Sequence, residues 1–260
     1  MYHNDFMKNS FGNVCREWRK QKRYSQLQLA LELEISSKHI SFIETGRAVP
    51  SKKMILKIGN FLFLPKREIN RGLYSAGYAP VYTELPYEHE DLKHVFSAMD
   101  QMLINHMPYP AIVLNQNWDV VKANESAQKL LADLGFSEHK NLIEAIISDD
   151  PATSKIINWH ESARTVLIRL RHEISILGGS KRLEGLEKKL ALCLASDGAN
   201  LAITASQPVL SIELQLSGSV LSFFSIIAQL STVQDVTVSE FKVELMFPTD
   251  ESTINHYQTL

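Results

Sequence analysis

The sequence predicts two domains, an all-α N-terminal domain of five short helices and an α+β C-terminal domain with an antiparallel sheet. Three observations lead to this fold class. Apolar residues recur with helical spacing through residues 10–75, almost without strand pattern. A stretch with one Gly, two Pro and no periodicity follows at 76–86. In the last 55 residues the spacing changes to the two-residue alternation of strands.

The N-terminal helices each combine an apolar stripe with a start or stop signal. Ser25 and Gln28 are spaced for a capping box at the start of the second helix, and Ser36 is the expected N-cap of the third. Between these two helices lies a tight turn at 34–36, so the pair has the outline of a helix-turn-helix. The five predicted spans are about 10–23, 26–33, 37–45, 51–63 and 65–75.

The C-terminal domain is predicted to open with a helix over about 88–106. Its apolar seam makes it the candidate dimer surface, and packing inside its own domain is the alternative. A hairpin and three late strands predict a five-stranded antiparallel sheet with helices covering one face. The predicted strands are 111–114, 118–122, 210–216, 220–231 and 241–247, and the predicted helices are about 124–135, 141–148, 154–177 and 181–195.

Charge is distributed unevenly between the two parts of the chain. Residues 1–80 hold 14 Lys and Arg against 6 Asp and Glu, a net of +8. Residues 81–260 hold 13 against 23, a net of −10, so the whole chain carries −2. A basic domain beside an acidic one predicts that the first binds a polyanion, whereas a merely solvated basic surface is the alternative.

The third helix has the composition of a DNA-recognition helix. At 100° per residue, Ile40 and Ile43 share one side, and small polar residues with Lys38 share the other. Such a side suits the major groove, where base edges are accessible, and Phe42 flanks it as a possible contact for a thymine methyl group.

Motif spacing around these helices is similar to the Xre/Cro family of helix-turn-helix repressors. The matching residues are Ser25-Gln26-x-x-Leu29-Ala30, Ile35-Ser36-x-x-x-Ile40-Ser41 and Glu44-x-Gly46-Arg47-x-x-Pro50. The resemblance implies that Gln26 and Arg47 contact phosphate and that bases are contacted by Ser36, Ser37, Lys38 and Ser41. One departure is Glu34, where the family usually has Gly; a positive φ there would cost about 1 kcal/mol.

Further short motifs resemble the MmyB-like subfamily. They are Gly77-Tyr78-Ala79-Pro80-Val81-Tyr82, Pro108-Tyr109-Pro110-Ala111, Trp118-x-Val120-Val121-x-Ala123-Asn124, Asn158-Trp159 and Gln234-Asp235-Val236. The resemblance implies a DNA-binding domain at 6–76, a linker at 77–87 and a PAS-like ligand-binding and dimerisation domain at 88–260. It also implies a small hydrophobic, fatty-acid-like ligand.

Ligand-contacting residues are predicted where a helix-covered sheet leaves a concave apolar space. The expected pocket residues are Tyr109, Trp118, Asn124, Trp159, Phe224 and Ile226. For the tryptophans, simple core packing is the alternative. Arg164, Arg169 and His172 lie near the polar side of the long helix, where they either neutralise an acidic head group or are solvated.

Catalysis and metal binding are not predicted. His89 and His94 are five residues apart, so they do not share a helix face, and neither phosphate-loop fingerprint is present. Two cysteines are too few for a disulfide scaffold, no apolar run reaches the roughly 20 residues of a membrane helix, and no signal peptide is predicted. A cytoplasmic location without cofactor is therefore expected.

The sequence thus predicts a homodimeric, sequence-specific transcription regulator that binds operator DNA and senses a small hydrophobic ligand, rather than an enzyme. An enzyme with a targeting domain would need a convergent nucleophile, base or metal set, which the sequence does not offer. A third hypothesis is an antitoxin-like or scaffold protein with an autoregulatory helix-turn-helix and a protein-binding C-terminal domain.

Overall fold

The computed structural model describes residues 10–177, 179–196, 209–216, 218–230 and 234–258. It divides into two compact units. One comprises the chain up to Glu84 with the segments His172–Ser180 and Gln234–Val236, and the other comprises the remainder.

The first unit contains the five expected helices. Their apolar stripes meet in one core, in which Trp18, Leu29, Ile40, Ile55 and Leu73 are almost fully buried. The helices are α1 (Phe11–Gln21), α2 (Gln26–Glu32), α3 (Ser37–Glu44), α4 (Lys52–Phe61) and α5 (Lys66–Ser75).

Hydroxyl caps fix where three of these helices begin. The predicted capping box is confirmed, since the Ser25 hydroxyl accepts from the Gln28 N–H and the Gln28 side chain accepts from the Ser25 N–H. Ser36 caps α3 and Ser51 caps α4. In the turn between α2 and α3, Glu34 has φ 53°, the left-handed conformation that the family's glycine adopts without strain.

The second unit alternates helices and strands. Its helices are a 3₁₀ turn at Glu90–Leu92, then α6 (Lys93–Asn105), α7 (Glu125–Asp133), α8 (Leu142–Ser148), α9 (Trp159–Leu177, whose last turns belong to the first unit), α10 (Lys181–Ser196), α11 (Val236–Ser239) and α12 (Glu251–Gln258). Its strands are β1 (Ala111–Leu114), β2 (Val120–Ala123), β3 (Ile212–Leu216), β4 (Ser219–Gln229) and β5 (Lys242–Pro248).

The five strands form one antiparallel sheet in the order β2-β1-β5-β4-β3. The last strand in the chain is therefore the central one. It pairs with the early hairpin on one side, Val113 opposite Val243, and with β4 on the other, Ile226 opposite Leu245. The predicted five-stranded sheet is confirmed.

Helices cover both faces of the sheet, where the sequence predicted one covered face. Met99 and Leu103 of α6 pack with Val113 and Val243 on one face. Because strand residues alternate between faces, Ile112 and Glu244 point to the opposite face, where α7, α8 and α9 lie. Of the apolar seam predicted over 88–106, Leu92, Met99 and Leu103 are buried in their own domain, whereas Met102 is 37% exposed. A dimer contact through α6 stays a prediction.

Two further differences have local causes. The helix predicted from 154 begins only at Trp159, because residues 155–157 pair with the edge of β3, where the Ile157 N–H donates to the Glu213 carbonyl. The strand predicted from Trp118 begins at Val120, since Trp118 has φ 67° and closes the preceding turn. Helices α11 and α12 were not predicted. Residues 6–9, Gly178, Ser217, Ser231 and the final residues of the predicted domain lie outside the described part of the chain.

Candidate functional site

The outward side of α3 is open to solvent. Ser36, Ser37 and Lys38 are exposed, Ser41 is half-buried, and Ile40 and Ile43 hold the helix on the core from behind. Arg47, in the loop that follows, is also exposed. The structure therefore brings the predicted base-contacting residues together on one accessible surface, with no described segment of the first unit covering them.

A buried charge network fixes the other end of α3. Glu44, the last residue of this helix, has a side chain with no solvent exposure. Its Oε1 lies 2.5 Å from Arg19 Nε and its Oε2 lies 2.9 Å from Arg19 Nη2, which makes a bidentate ion pair between α1 and α3. Arg16 donates to the Glu44 carbonyl at 3.0 Å. Recognition helix and first helix are thus joined through one carboxylate.

Opposing effects act on the pKa of Glu44. Burial works to raise it, but hydrogen bonds from Arg19 and Gln26, with the positive charges of Arg19 and Arg16, outweigh burial and lower the pKa. The carboxylate is therefore ionised in the folded protein at neutral pH.

Gln26 is part of the same network. Its Nε2 donates to Glu44 Oε2 at 2.8 Å, so its amide is already oriented at the start of α2. The second Nε2 hydrogen can serve as the donor that a phosphate contact requires. The phosphate role of Gln26 stays a prediction that this geometry accommodates.

In the second unit a cavity of about 310 Å³ lies between the sheet and helices α7, α8 and α9. Its volume is at the lower end of the range of roughly 300–1,000 Å³ for small-molecule sites. Most of its wall is apolar, including Leu130, Phe136, Ile146, Ile156 and Phe223. Helix α9 contributes one face of Ser162, Thr165, Val166 and Arg169, spaced i, i+3, i+4 and i+7.

One ion pair lies in this apolar wall. Arg169 Nη1 is 3.0 Å from Glu244 Oε2, and their side chains are 20% and 14% exposed. Arg169 Cζ also lies 4.3 Å from the centre of the Trp118 ring, and Lys242 Nζ lies 4.2 Å from it. Arg169 and Glu244 both line the cavity, so its apolar wall presents one guanidinium and one carboxylate.

Two models of known protein families match separate parts of the chain. A model described as the MmyB-like transcription regulator ligand binding domain matches residues 95–260, and a helix-turn-helix model matches residues 16–69. The chain belongs to the MmyB-like transcription regulators. The comparison with curated proteins gave no match. Both matched domains are those of a DNA-binding transcription regulator with a ligand-binding domain, not those of an enzyme.

In this MmyB-like regulator none of the six residues predicted to contact the ligand lies in the cavity wall. Asn124 is the clearest case. Its oxygen accepts from the N–H groups of Ala111 and Ala127, and its nitrogen donates to the carbonyls of Leu103 and Tyr109. All four hydrogen-bonding positions of its amide are thus used to join α6, β1 and α7.

Two more of these residues lie on the face of the sheet away from the cavity, because successive residues of a strand point to opposite faces. Phe223, Ser225 and Ile227 line the cavity, so Phe224 and Ile226 point to the other face of the sheet. Phe224 stacks there on Phe247 with ring centres 5.5 Å apart. Ile226 is 48% exposed.

The three remaining aromatic residues have structural neighbours. Tyr109 packs against Tyr257 and His106. Trp159 is buried at the start of α9, against His160. Trp118 is fully buried, and the guanidinium of Arg169, which lines the cavity, lies over its ring. Ligand contact by these six residues stays a prediction, whereas the cavity offers a different set, of which the sequence had singled out only Arg169.

None of the helices among the described residues combines the length and apolar character of a membrane span. Among the same residues, no group of three or more His, Cys, Asp and Glu side chains is arranged to hold a metal ion.

Proposed function

We propose that this regulator binds operator DNA through the outward side of α3. The observation that carries the proposal is the accessible polar surface around Lys38, held rigidly from behind by Ile40, Ile43 and Glu44. Ser36, Ser37, Lys38 and Ser41 are proposed to contact base edges, and Gln26 and Arg47 to contact phosphate. The net charge of +8 over residues 1–80 favours approach to the duplex.

Alanine substitutions separate the two kinds of contact. We expect Lys38→Ala to weaken binding to the DNA upstream of the regulator's own gene by about tenfold and to relax base preference. Arg47→Ala should weaken binding to all sequences. The slope of the logarithm of the binding constant against the logarithm of the salt concentration should become shallower by about one. Gel shifts at several salt concentrations measure both effects.

Lys129→Ala is the matched control, because it removes an exposed positive charge from α7 in the second unit. It should leave operator affinity nearly unchanged. Unchanged binding in both the Lys38 and Arg47 variants would contradict the proposed surface.

We further propose that the regulator is a homodimer that acts in the cytoplasm, where its operator lies. One helix-turn-helix contacts few bases, and two copies on half-sites about 34 Å apart reach useful affinity. Helix α6, on which Met102 is 37% and Ile104 63% exposed, stays the candidate dimer surface. Native mass spectrometry tests this directly, and a species of single-chain mass at micromolar concentration would contradict it.

We propose that the cavity holds a fatty-acid-like ligand. The apolar wall suits an alkyl chain, and the Arg169 guanidinium in that wall suits a carboxylate. Such a ligand regulates operator binding only if it has different affinities for the DNA-competent and DNA-incompetent states.

Decanoate and decanol distinguish the head group from the chain. We expect Arg169→Met to weaken decanoate binding, measured by calorimetry, by about tenfold, and to change decanol binding little, because only the carboxylate uses the guanidinium. Arg164→Met, on the same helix but outside the cavity wall, is the matched control. Equal losses for both ligands, or binding of neither by the unaltered protein, would contradict the fatty-acid proposal.

A further inference from the structure

The outward side of α3 carries one large aromatic residue. Ile40, Ile43 and Glu44 define the buried side of this helix. At 100° per residue, the opposite direction passes about 10° from Lys38 and about 30° from Phe42. Phe42 therefore belongs to the centre of the outward side rather than to its flank. An apolar ring at this place has no core to fill on the described first unit.

Two cations lie against this ring. Lys38 Nζ is 5.5 Å and Arg47 Cζ is 5.9 Å from the centre of the Phe42 ring, which is within the range of cation–π attraction. Phe42 is half-buried, whereas Lys38 and Arg47 are exposed. The ring thus lies between the two positive charges that the proposed function directs to the duplex.

A phenyl ring has no hydrogen-bond donor or acceptor, so it can distinguish bases only by apolar contact. In the major groove, the apolar group of a base pair is the C5 methyl of thymine. All residues of α3 are described, and in this helix no other large apolar side chain lies on the outward side.

We infer that Phe42 contacts a thymine C5 methyl group and fixes thymine at one position of the operator. This inference rests on the proposed binding of DNA by α3. The group that the Phe42 ring contacts is a methyl group on the edge of a pyrimidine that faces the major groove. Thymine and uracil differ by this methyl group alone, so the contact distinguishes the two bases.

The test begins with selection of high-affinity duplexes from a random-sequence pool by the full chain. In one selected duplex, each thymine is then replaced singly by deoxyuridine, and the affinity is measured by gel shift. We expect one thymine position at which the replacement weakens binding about fourfold, the value for one buried methyl group. This scan of the duplex uses the unaltered protein. If no thymine replacement weakens binding, the inference is overturned.

Phe42→Gln assigns the effect to its residue. This variant should bind the thymine and uracil duplexes equally, with its helical content and unfolding midpoint measured alongside. Phe63→Gln is the matched control, because Phe63 is 84% exposed outside α3, and it should keep the fourfold difference. Persistence of the difference in Phe42→Gln would also overturn the inference. Failure to select any preferred duplex would instead count against the proposed DNA-binding surface.

Discussion

Glu44→Gln is expected to destabilise the first unit by about 3–5 kcal/mol, the cost of removing one partner from a buried ion pair. The substitution leaves Arg19, which is only 11% exposed in its side chain, without its carboxylate. It also replaces one of the two acceptor oxygens by an NH2 donor, so the hydrogen bonds from Arg19 and Gln26 cannot all be kept and the end of α3 is loosened. Urea unfolding followed by circular dichroism measures the change, and operator affinity should fall with it.

Glu17→Gln is the matched control for this substitution. Glu17 lies 3.4 Å from Arg71, but both side chains are about half exposed, so solvent screens the pair. A change of about 0–1 kcal/mol is expected there. Equal effects of the two substitutions would contradict the dominant role assigned to the buried pair.

The pH dependence follows from the lowered pKa of Glu44. A carboxyl whose pKa is lower in the folded than in the unfolded state contributes stability above its ordinary value of 4.5. That contribution is lost as the pH falls through the folded-state pKa. The difference in stability between the unaltered protein and Glu44→Gln should therefore be full at neutral pH and shrink below 4.5.

Gly12→Ala has the second large expected effect. A Cβ at Gly12 would lie 2.7 Å from the Ile43 carbonyl oxygen and 2.8 Å from that of Glu44. Both are backbone atoms of α3, so α1 and the recognition helix would have to separate. We expect a net loss of about 1–3 kcal/mol of unfolding free energy and weaker operator binding.

Gly185→Ala makes the same chemical change in another helix. Around Gly185 in α10 no described atom lies within 4 Å of the added Cβ. Because alanine favours helices over glycine, this variant should gain about 0.5–1 kcal/mol. A gain in both variants would contradict the close approach of α1 to α3.

The helix-turn-helix could be predicted because its determinants are local. The capping box of Ser25 and Gln28, the cap at Ser36 and the stripe of Ile40 and Ile43 all act within one or two turns, and each is found as expected. The ion pair of Arg19 with Glu44 joins residues 25 positions apart, so no local pattern indicated it.

The cavity could not be assigned from the sequence because β4 is apolar on both sides. Phe223 and Phe224 are equally apolar, as are Ile226 and Ile227, so their order alone does not tell which of each pair faces inward. Pairing with β5 decides this, since it places Ile227 opposite Glu244 on the cavity side. A signal was present in α9, where Ser162, Thr165, Val166 and Arg169 form a partly polar face beside the apolar stripe.

The fixation of α3 at both of its ends affects the affinity for DNA. A helix held by a hydroxyl at its first turn and by a buried carboxylate at its last is preorganised, so docking on a duplex removes little of its conformational entropy. An effector bound in the second unit consequently finds no loose recognition helix to reorder. If a ligand in the second unit controls DNA binding, we expect it to change the placement of α3 rather than its folding.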